Sequence, residues 1–369
     1  MKKLGLWVVK FIIVPLGVLV VATIVILVLL RLYAQNKVAR QIWITSPNGI
    51  HSIEKVKLGG IDQWIQIRGV DRTKPILLFL HGGPGFPQMP FSHLNADLEK
   101  EFVVVQWDQR GAGRSFPLND PRKLAPTLTI DRYRDDAIEL IELLCKKYGK
   151  RKVFLLGHSW GSVVGLSVAA KRPDLLYAYI GMGQSIDPQA AERASYAWTL
   201  EQARKDNNAQ ATMELEALQP YPGDFAIKKI DAERKWTVHY GGLFYHHQDG
   251  DFYFHLARMS PEYTSADRKA WGDGSAYTVK IVEPQLAAAS FTKLNKLDCP
   301  IFLFEGRHDQ VIPSMITAAW FGKLNAPTKE IVWFENSGHM MMIEEPGRVL
   351  AALLRFARPC AESGEKEMR

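Results

Sequence analysis

The pentapeptide Gly157-His158-Ser159-Trp160-Gly161 constrains this chain more than any other stretch of it. It stands between an apolar run at 152–156 and a helix of small and branched residues at 161–171, which Pro173 stops. A chain that passes from a buried strand into a helix through so few residues must turn sharply. The turn lifts the Ser159 hydroxyl clear of the sheet and aims it at whatever lies above. Glycine at both ends removes side chains that would collide with the neighbouring strands. The Trp160 amide falls in the first turn of the helix, where its N–H has no intrahelical partner and can bind an anion. A nucleophilic serine is expected at 159, with Trp160 N–H as one donor of an oxyanion hole.

The surrounding pattern is α/β. Residues 75–80 form a continuous apolar run ending in a Gly/Pro cluster, as a strand covered on both faces would. Residues 102–107 and 175–183 read the same way, and 55–58 and 63–68 as short alternating strands. Residues 130–148 are an amphipathic helix with Ile138, Ile141 and Leu144 on one face. From 184 to 291 the chain is rich in Ala, charge and aromatics, and its helical stretches are broken by Pro220 and Pro222. Strands then return at 300–304 and 330–334, with helices at 314–324 and 346–357. The expectation is a mostly parallel sheet in two halves, 41–183 and 292–369, interrupted by a helical cap at 184–291. The cap leaves from a strand end, where open α/β sheets place their ligands.

A serine nucleophile needs a base, and the base needs an orienting acid. On α/β sheets these follow in the order Ser, Asp, His. Asp309 lies just past the strand at 300–304 and His339 just past the strand at 330–334, so both leave the same sheet edge as Ser159. Asp187 and Glu305 are rival acids; Asp309 is preferred because its Gly-Arg-His-Asp loop turns directly after the strand. His239, His246, His247 and His255 fall in the cap and read as polar surface, and His51 and His93 lie away from any suitable loop. His81-Gly82-Gly83-Pro84-Gly85 follows the strand at 75–80, and Gly83 N–H is expected to pair with Trp160 N–H in the oxyanion hole. In Trp107-Asp108-Gln109-Arg110-Gly111-Ala112-Gly113-Arg114-Ser115, Asp108 and Arg110 are expected to share one charge network that supports the site from below, as His81 does from its own loop. No H-E-x-x-H and no phosphate-binding glycine loop occurs, and neither metal nor cofactor is expected.

These motifs together resemble the proline iminopeptidase (prolyl aminopeptidase) family of the α/β-hydrolase superfamily. The resemblance covers about 50–183 and 298–357 and rests on 81–85, 107–115, 157–161, the Asp309 loop and Gly338-His339. It implies an α/β-hydrolase fold and a nucleophile, acid and base at Ser159, Asp309 and His339. It also implies cofactor-free release of an N-terminal residue, usually proline, from a peptide. The cap departs from the family pattern. Family members hold the substrate amine with cap acids, one in a Trp-rich segment. Here Trp198-Thr199-Leu200-Glu201 lies nearer Ser159 than that pattern expects, and Glu201, Glu214, Glu216 and Glu233 do not match it by position. An esterase or lipase-like hydrolase of small acyl substrates would use the same triad, and a non-catalytic binding protein could keep the frame. An epoxide hydrolase would carry Asp where Ser159 stands.

The net charge of +7 invites a nucleic-acid reading, but its distribution removes it. Six of the seven positive charges belong to residues 1–40, which contain Lys2, Lys3, Lys10, Arg31, Lys37 and Arg40 and no acid. Between them, residues 11–30 carry no charge. A helix of that length spans roughly 30 Å, the hydrocarbon thickness of a bilayer. Trp7 and Tyr33 flank it as interfacial aromatics do. The run is longer than a signal-peptide core, and Leu32-Tyr33-Ala34 fits a cleavage site poorly, so an uncleaved anchor in a lipid bilayer is expected. Basic residues on both sides leave the orientation unset. Three cysteines, Cys145, Cys299 and Cys360, form no disulfide framework, and nothing in the sequence sets an oligomeric state.

Overall fold

A computed structural model describes residues 9–361; the flanking Lys2, Lys3 and Trp7 of the anchor reading lie outside the described residues. Helix α1 (Val14–Gln41) is apolar through Leu30 and has no buried residue. The helical segment Lys10–Gln41 is long and apolar enough to cross a membrane.

The remainder is built on one eight-stranded sheet. Strands β1 (Ile50–Leu58) and β2 (Ile61–Gly69) form a hairpin through Gly59-Gly60. Both are longer than the sequence pattern suggested, because polar residues mask the alternation: β1 exposes His51, Lys55 and Lys57, and β2 buries Gln63, Gln66 and Arg68. Next in the chain come β3 (Ile76–Leu80), β4 (Val103–Asp108), α2 (Ile130–Tyr148), β5 (Val153–His158), α3 (Trp160–Lys171) and β6 (Leu176–Met182). Five helices follow: α4 (Pro188–Lys205), α5 (Ala209–Glu216), α6 (Ile227–His239), α7 (Asp251–Arg258) and α8 (Ser265–Leu286). The sheet resumes with β7 (Ile301–Gly306), α9 (Ser314–Lys323) and β8 (Lys329–Phe334), and α10 (Pro346–Ala352) comes last. The strand order is β1-β2-β4-β3-β5-β6-β7-β8, with β2 antiparallel to both its neighbours, β1 and β4, and every other neighbouring pair parallel. This is an α/β-hydrolase fold with a mostly parallel sheet.

Two apolar layers hold the sheet. On one face Leu78, Val105 and Leu155 pack against Ile141 and Leu144 of α2, Val163 and Val164 of α3 and Trp320 of α9. On the other, Phe79, Phe154 and Phe302 pack against Met341, Val349 and Leu353. Both faces are covered, which is why β3, β4, β5 and β7 are buried along their whole length. Register brings the strand ends level: Leu80 pairs with Gly157, Met182 with Phe304, and Gly306 with Phe334. The loops that leave these ends therefore share one edge. Helix α8 lies over them, and its Thr278 hydroxyl donates to Gly111 O (3.0 Å).

Candidate active site

Ser159 sits between β5 and α3 at φ 55°, ψ −120°, a backbone region that L-residues rarely occupy. The strain is held by packing on both sides. A Cβ on Gly157 would meet Gly161 O at 2.3 Å, and one on Gly161 would meet Leu80 O at 2.1 Å. The turn also takes support from hydrogen bonds. Ser159 N–H donates to Met182 O (3.0 Å), and the Ser162 amide and hydroxyl both donate to Ser159 O (2.8 and 2.5 Å).

Asp309 and His339 meet at the neighbouring strand ends. His339 Nδ1 lies 2.7 Å from Asp309 Oδ2, and both side chains are buried. The other carboxylate oxygen, Oδ1, accepts the amides of Val311 and Ile312 (2.9 Å each). These bonds hold the carboxylate in one orientation. His339 Nε2 is buried with no protein partner among the described residues, so the side of the ring away from Asp309 is unclaimed. The rival acids are engaged elsewhere. Asp187 caps α4 by accepting Ala190 N–H (3.0 Å). Glu305 accepts Gln184 N–H (3.2 Å), and burial pushes its carboxyl well above the usual carboxylate range, with Asp309 adding to the shift.

Two groups that the sequence reading passed over tie these loops together. His158 Nε2 donates to His339 O (3.0 Å), and burial, with His339 beside it, pushes the His158 pKa down to about 3. Glu344 accepts Gly338 N–H (2.8 Å) and Tyr245 N–H (2.7 Å), joining the His339 loop to the cap. Main-chain bonds add to this seam, from Gln310 N to Gly242 O (3.1 Å) and from His339 N to Leu243 O (2.8 Å).

On the other side of Ser159, Gly83 and Trp160 line the same cavity. His81 is buried beneath Gly83. Its Nδ1–H donates to Gly82 O (2.8 Å) and its Nε2 accepts Gln109 N–H (3.2 Å), so the ring is neutral, in agreement with burial pushing its pKa down to about 4. Gln109 continues the chain of contacts by accepting Trp160 Nε1–H (3.1 Å). The expected Asp108–Arg110 network does not form. Arg110 turns away to Asp136 of α2, donating from Nε to Oδ2 (2.9 Å) and from Nη2 to Oδ1 (3.1 Å). Asp108 accepts Arg114 N–H (2.8 Å) and Tyr263 O–H (3.0 Å), and burial pushes its pKa up to about 7. The two residues leave β4 in opposite directions: one ties the loop to a core helix, the other to the cap.

The cavity above Ser159 has a volume of about 240 Å³. Its apolar lining includes Phe86, Val163, Ile230 and Leu286, and its charged lining is Glu192, Asp231, Arg234 and Glu283 from three cap helices. Arg234 Nη2 donates to Glu192 (2.5 Å). Burial, followed by the Glu192 charge, pushes Glu283 up to about 7. The acids considered from the sequence are not in this lining. Glu201 pairs with Lys205 and Glu216 with Arg204 (2.7 Å each), and Glu214 takes Lys235 (2.8 Å). Glu233 is buried against Ser195 and Thr199 (2.9 and 3.0 Å). Among the described residues no group of three or more His, Cys, Asp or Glu could hold a metal ion.

A strained serine at a strand-to-helix turn, with an Asp–His pair on the same sheet edge and a helical cap above, defines an α/β hydrolase. The chain belongs to the alpha/beta hydrolase fold family, whose model matches residues 75–346. Among curated relatives it is 31% identical over 319 residues to the probable aminopeptidase YbaC of Bacillus subtilis, covering 85% of this chain and 99% of that one. It is 24% identical to a proline iminopeptidase of Heyndrickxia coagulans, over 76% and 89% of the two chains. The fold is shared with a solved proline iminopeptidase of Mycobacterium smegmatis, with TM-score 0.61 and 17% identity over 85% of this chain and 100% of that one. The chain is thus a proline iminopeptidase-like α/β hydrolase.

Proposed function

We propose that this protein is a membrane-anchored serine hydrolase that releases an N-terminal residue, proline or another small one, from peptides. The observation that carries the chemistry is the Asp309–His339 pair with its free Nε2 on the edge from which Ser159 projects. His339 takes the Ser159 proton as Ser159 attacks the scissile carbonyl, and Asp309 holds the imidazole tautomer. Gly83 and Trp160 amides stabilise the oxyanion, His339 gives the proton to the leaving peptide nitrogen as the C–N bond breaks, and water activated by His339 then hydrolyses the acyl-enzyme and frees Ser159. Glu192, Asp231 and Glu283 are the acids available to a substrate's free amine. Helix α1 supplies the anchor.

The apolar share of the cavity favours one second reading, an esterase acting on small acyl substrates. Proline naphthylamide and short acyl esters assayed side by side separate the two. Ser159→Ala should lower kcat by roughly 10⁴-fold on whichever is cleaved. Near-wild-type turnover in that variant, or no labelling of Ser159 by a fluorophosphonate probe, would overturn the mechanism and return the binding-protein reading.

A further inference from the structure

The cavity above Ser159 opens sideways. It shares Phe86, Ile227, Asp231 and Val279 with a larger cavity of about 580 Å³ that runs between α6, α7 and α8. The wall of this groove is aromatic. The Trp271 ring stands edge-on to Phe86 (5.9 Å) and tilted against Phe254 (5.3 Å). Its lining is bare at the exposed Gly272, where an added Cβ would meet nothing within 4 Å. Its rim is basic, carrying Lys228, Arg258, Arg268 and Lys280. Burial, then the neighbouring guanidinium groups of Arg31 and Arg258, push the Arg268 pKa down. Two acids oppose them: Asp231, in the shared lining, and Asp267, which is bonded to Arg114 (2.8 Å).

The rim lies against the anchor. Gln35 of α1 donates from Nε2 to Arg258 O (2.8 Å) and Ser260 O (3.3 Å), so the α7–α8 corner is fastened to α1 just beyond its apolar stretch. At 1.5 Å per residue, Gln35 lies about 7 Å past Leu30. The headgroup layer on each side of a bilayer is roughly 5–8 Å deep. Arg31, Arg258 and the half-exposed ring of Phe254 therefore fall at headgroup depth when α1 spans a bilayer. Crowded guanidinium groups over an apolar groove are complementary to a ligand with an anionic head and an apolar chain.

We propose that this groove receives the apolar chain of an anionic, single-chain amphiphile drawn from the bilayer, with Arg31, Arg258 and Arg268 at its head and the chain pointing toward Ser159. The inference rests on the anchor and the serine nucleophile proposed above. The test uses the full-length protein in phosphatidylcholine vesicles doped with lysophosphatidylglycerol that carries a diazirine at the end of its acyl chain. Irradiation should crosslink α6 and α8 in the groove as well as α1. The lysophosphatidylcholine analogue should give roughly fivefold fewer groove crosslinks, the effect of about 1 kcal/mol of headgroup attraction. Gly272→Trp should lower groove crosslinking at least about tenfold, the loss expected from filling a closely packed chain site, with the α1 crosslinks retained. Arg258→Glu should remove the preference for the anionic head. Crosslinks confined to α1, equal yields from the two headgroups, or an unchanged yield in Gly272→Trp would each overturn the proposal. Failure of the readings beneath it looks different. A chain that does not float with vesicles refutes the anchor, and the same crosslinks are then read from mixed micelles. An unlabelled Ser159 refutes the nucleophile and leaves the crosslink map to be judged by itself.

Discussion

His158 Nε2 lies 3.0 Å from the main-chain oxygen of His339, and the two rings stand 4.7 Å apart. A carbonyl oxygen only accepts, so Nε2 of His158 carries the proton. The residue before the nucleophile thereby fixes the loop that carries the base. It does so as a neutral ring, since burial holds its pKa at about 3. His158→Ala removes the donor and leaves His339 O unpaired in a buried seam. A base displaced by about 1 Å costs roughly 10²-fold in rate. The expected outcome is a fall in kcat of that order with KM little changed, while Ser159 still labels slowly. A proportional rise in KM would mean that His158 serves binding instead.

Glu283 gives the cavity a pH-dependent charge. Its pKa of about 7 is raised by burial and by Glu192, so the side chain is neutral below that pH and anionic above it. A substrate entering with a free ammonium group gains a counter-charge as the pH rises. For such a substrate kcat/KM should climb through about pH 7 beyond the rise shared by an uncharged ester, and Glu283→Gln should remove that extra climb. Identical pH profiles for the two substrates would show that Glu283 does not meet the amine.

The buried pair under the β4 loop should respond asymmetrically to truncation. Asp136 accepts from Gln63 (2.9 Å), Arg132 (2.8 Å) and twice from Arg110. Arg110 has other acceptors in Thr127 Oγ1 (2.8 Å) and the carbonyls of Leu58 and Gly59 (3.3 Å each). Removing the acid leaves the buried Arg110 guanidinium without its counter-charge and takes from the buried Gln63 amide the shorter of its two bonds. Asp136→Ala should cost about 3–5 kcal/mol, and Arg110→Ala less, because Asp136 keeps Arg132 and Gln63. Urea unfolding of both variants measures the difference; equal losses would show that the pair acts as one isolated bond.

The sequence made the strand ends legible because what marks them is local. An apolar run, a glycine turn and one polar residue just past the strand are neighbours in the chain, so Ser159, Gly83, Asp309 and His339 stand out as candidates without knowledge of the sheet order. Register then brings Leu80, Gly157, Met182 and Phe304 level, which local patterning does not encode. The cavity acids were illegible for the same reason. Glu192, Asp231 and Glu283 come from three helices far apart in sequence, and nothing in their immediate neighbours separates them from the exposed Glu201 or Glu216. The Asp108–Arg110 pairing was misread because two charges close in a loop suggest mutual neutralisation. Their actual partners, Tyr263 and Asp136, lie on other elements.

A steric constraint on the nucleophile's own turn lies at Gly161. An added Cβ would stand 2.1 Å from Leu80 O and 2.7 Å from His81 O, both main-chain atoms at the end of β3. Neither can swing aside as a side chain could, so α3 must move off the sheet or the oxyanion loop must shift. Overpacking of this kind costs roughly 1–3 kcal/mol, and here it falls on the segment that aims Ser159. Gly161→Ala should therefore lose stability by about that amount and lose fluorophosphonate labelling almost completely. Gly322, in α9, is the control: its added Cβ would meet nothing within 4 Å. Gly322→Ala should leave labelling intact and gain roughly 0.5 kcal/mol by stiffening the unfolded chain. Full labelling of Gly161→Ala would mean that the strand-to-helix turn tolerates a side chain where this geometry leaves no room for one.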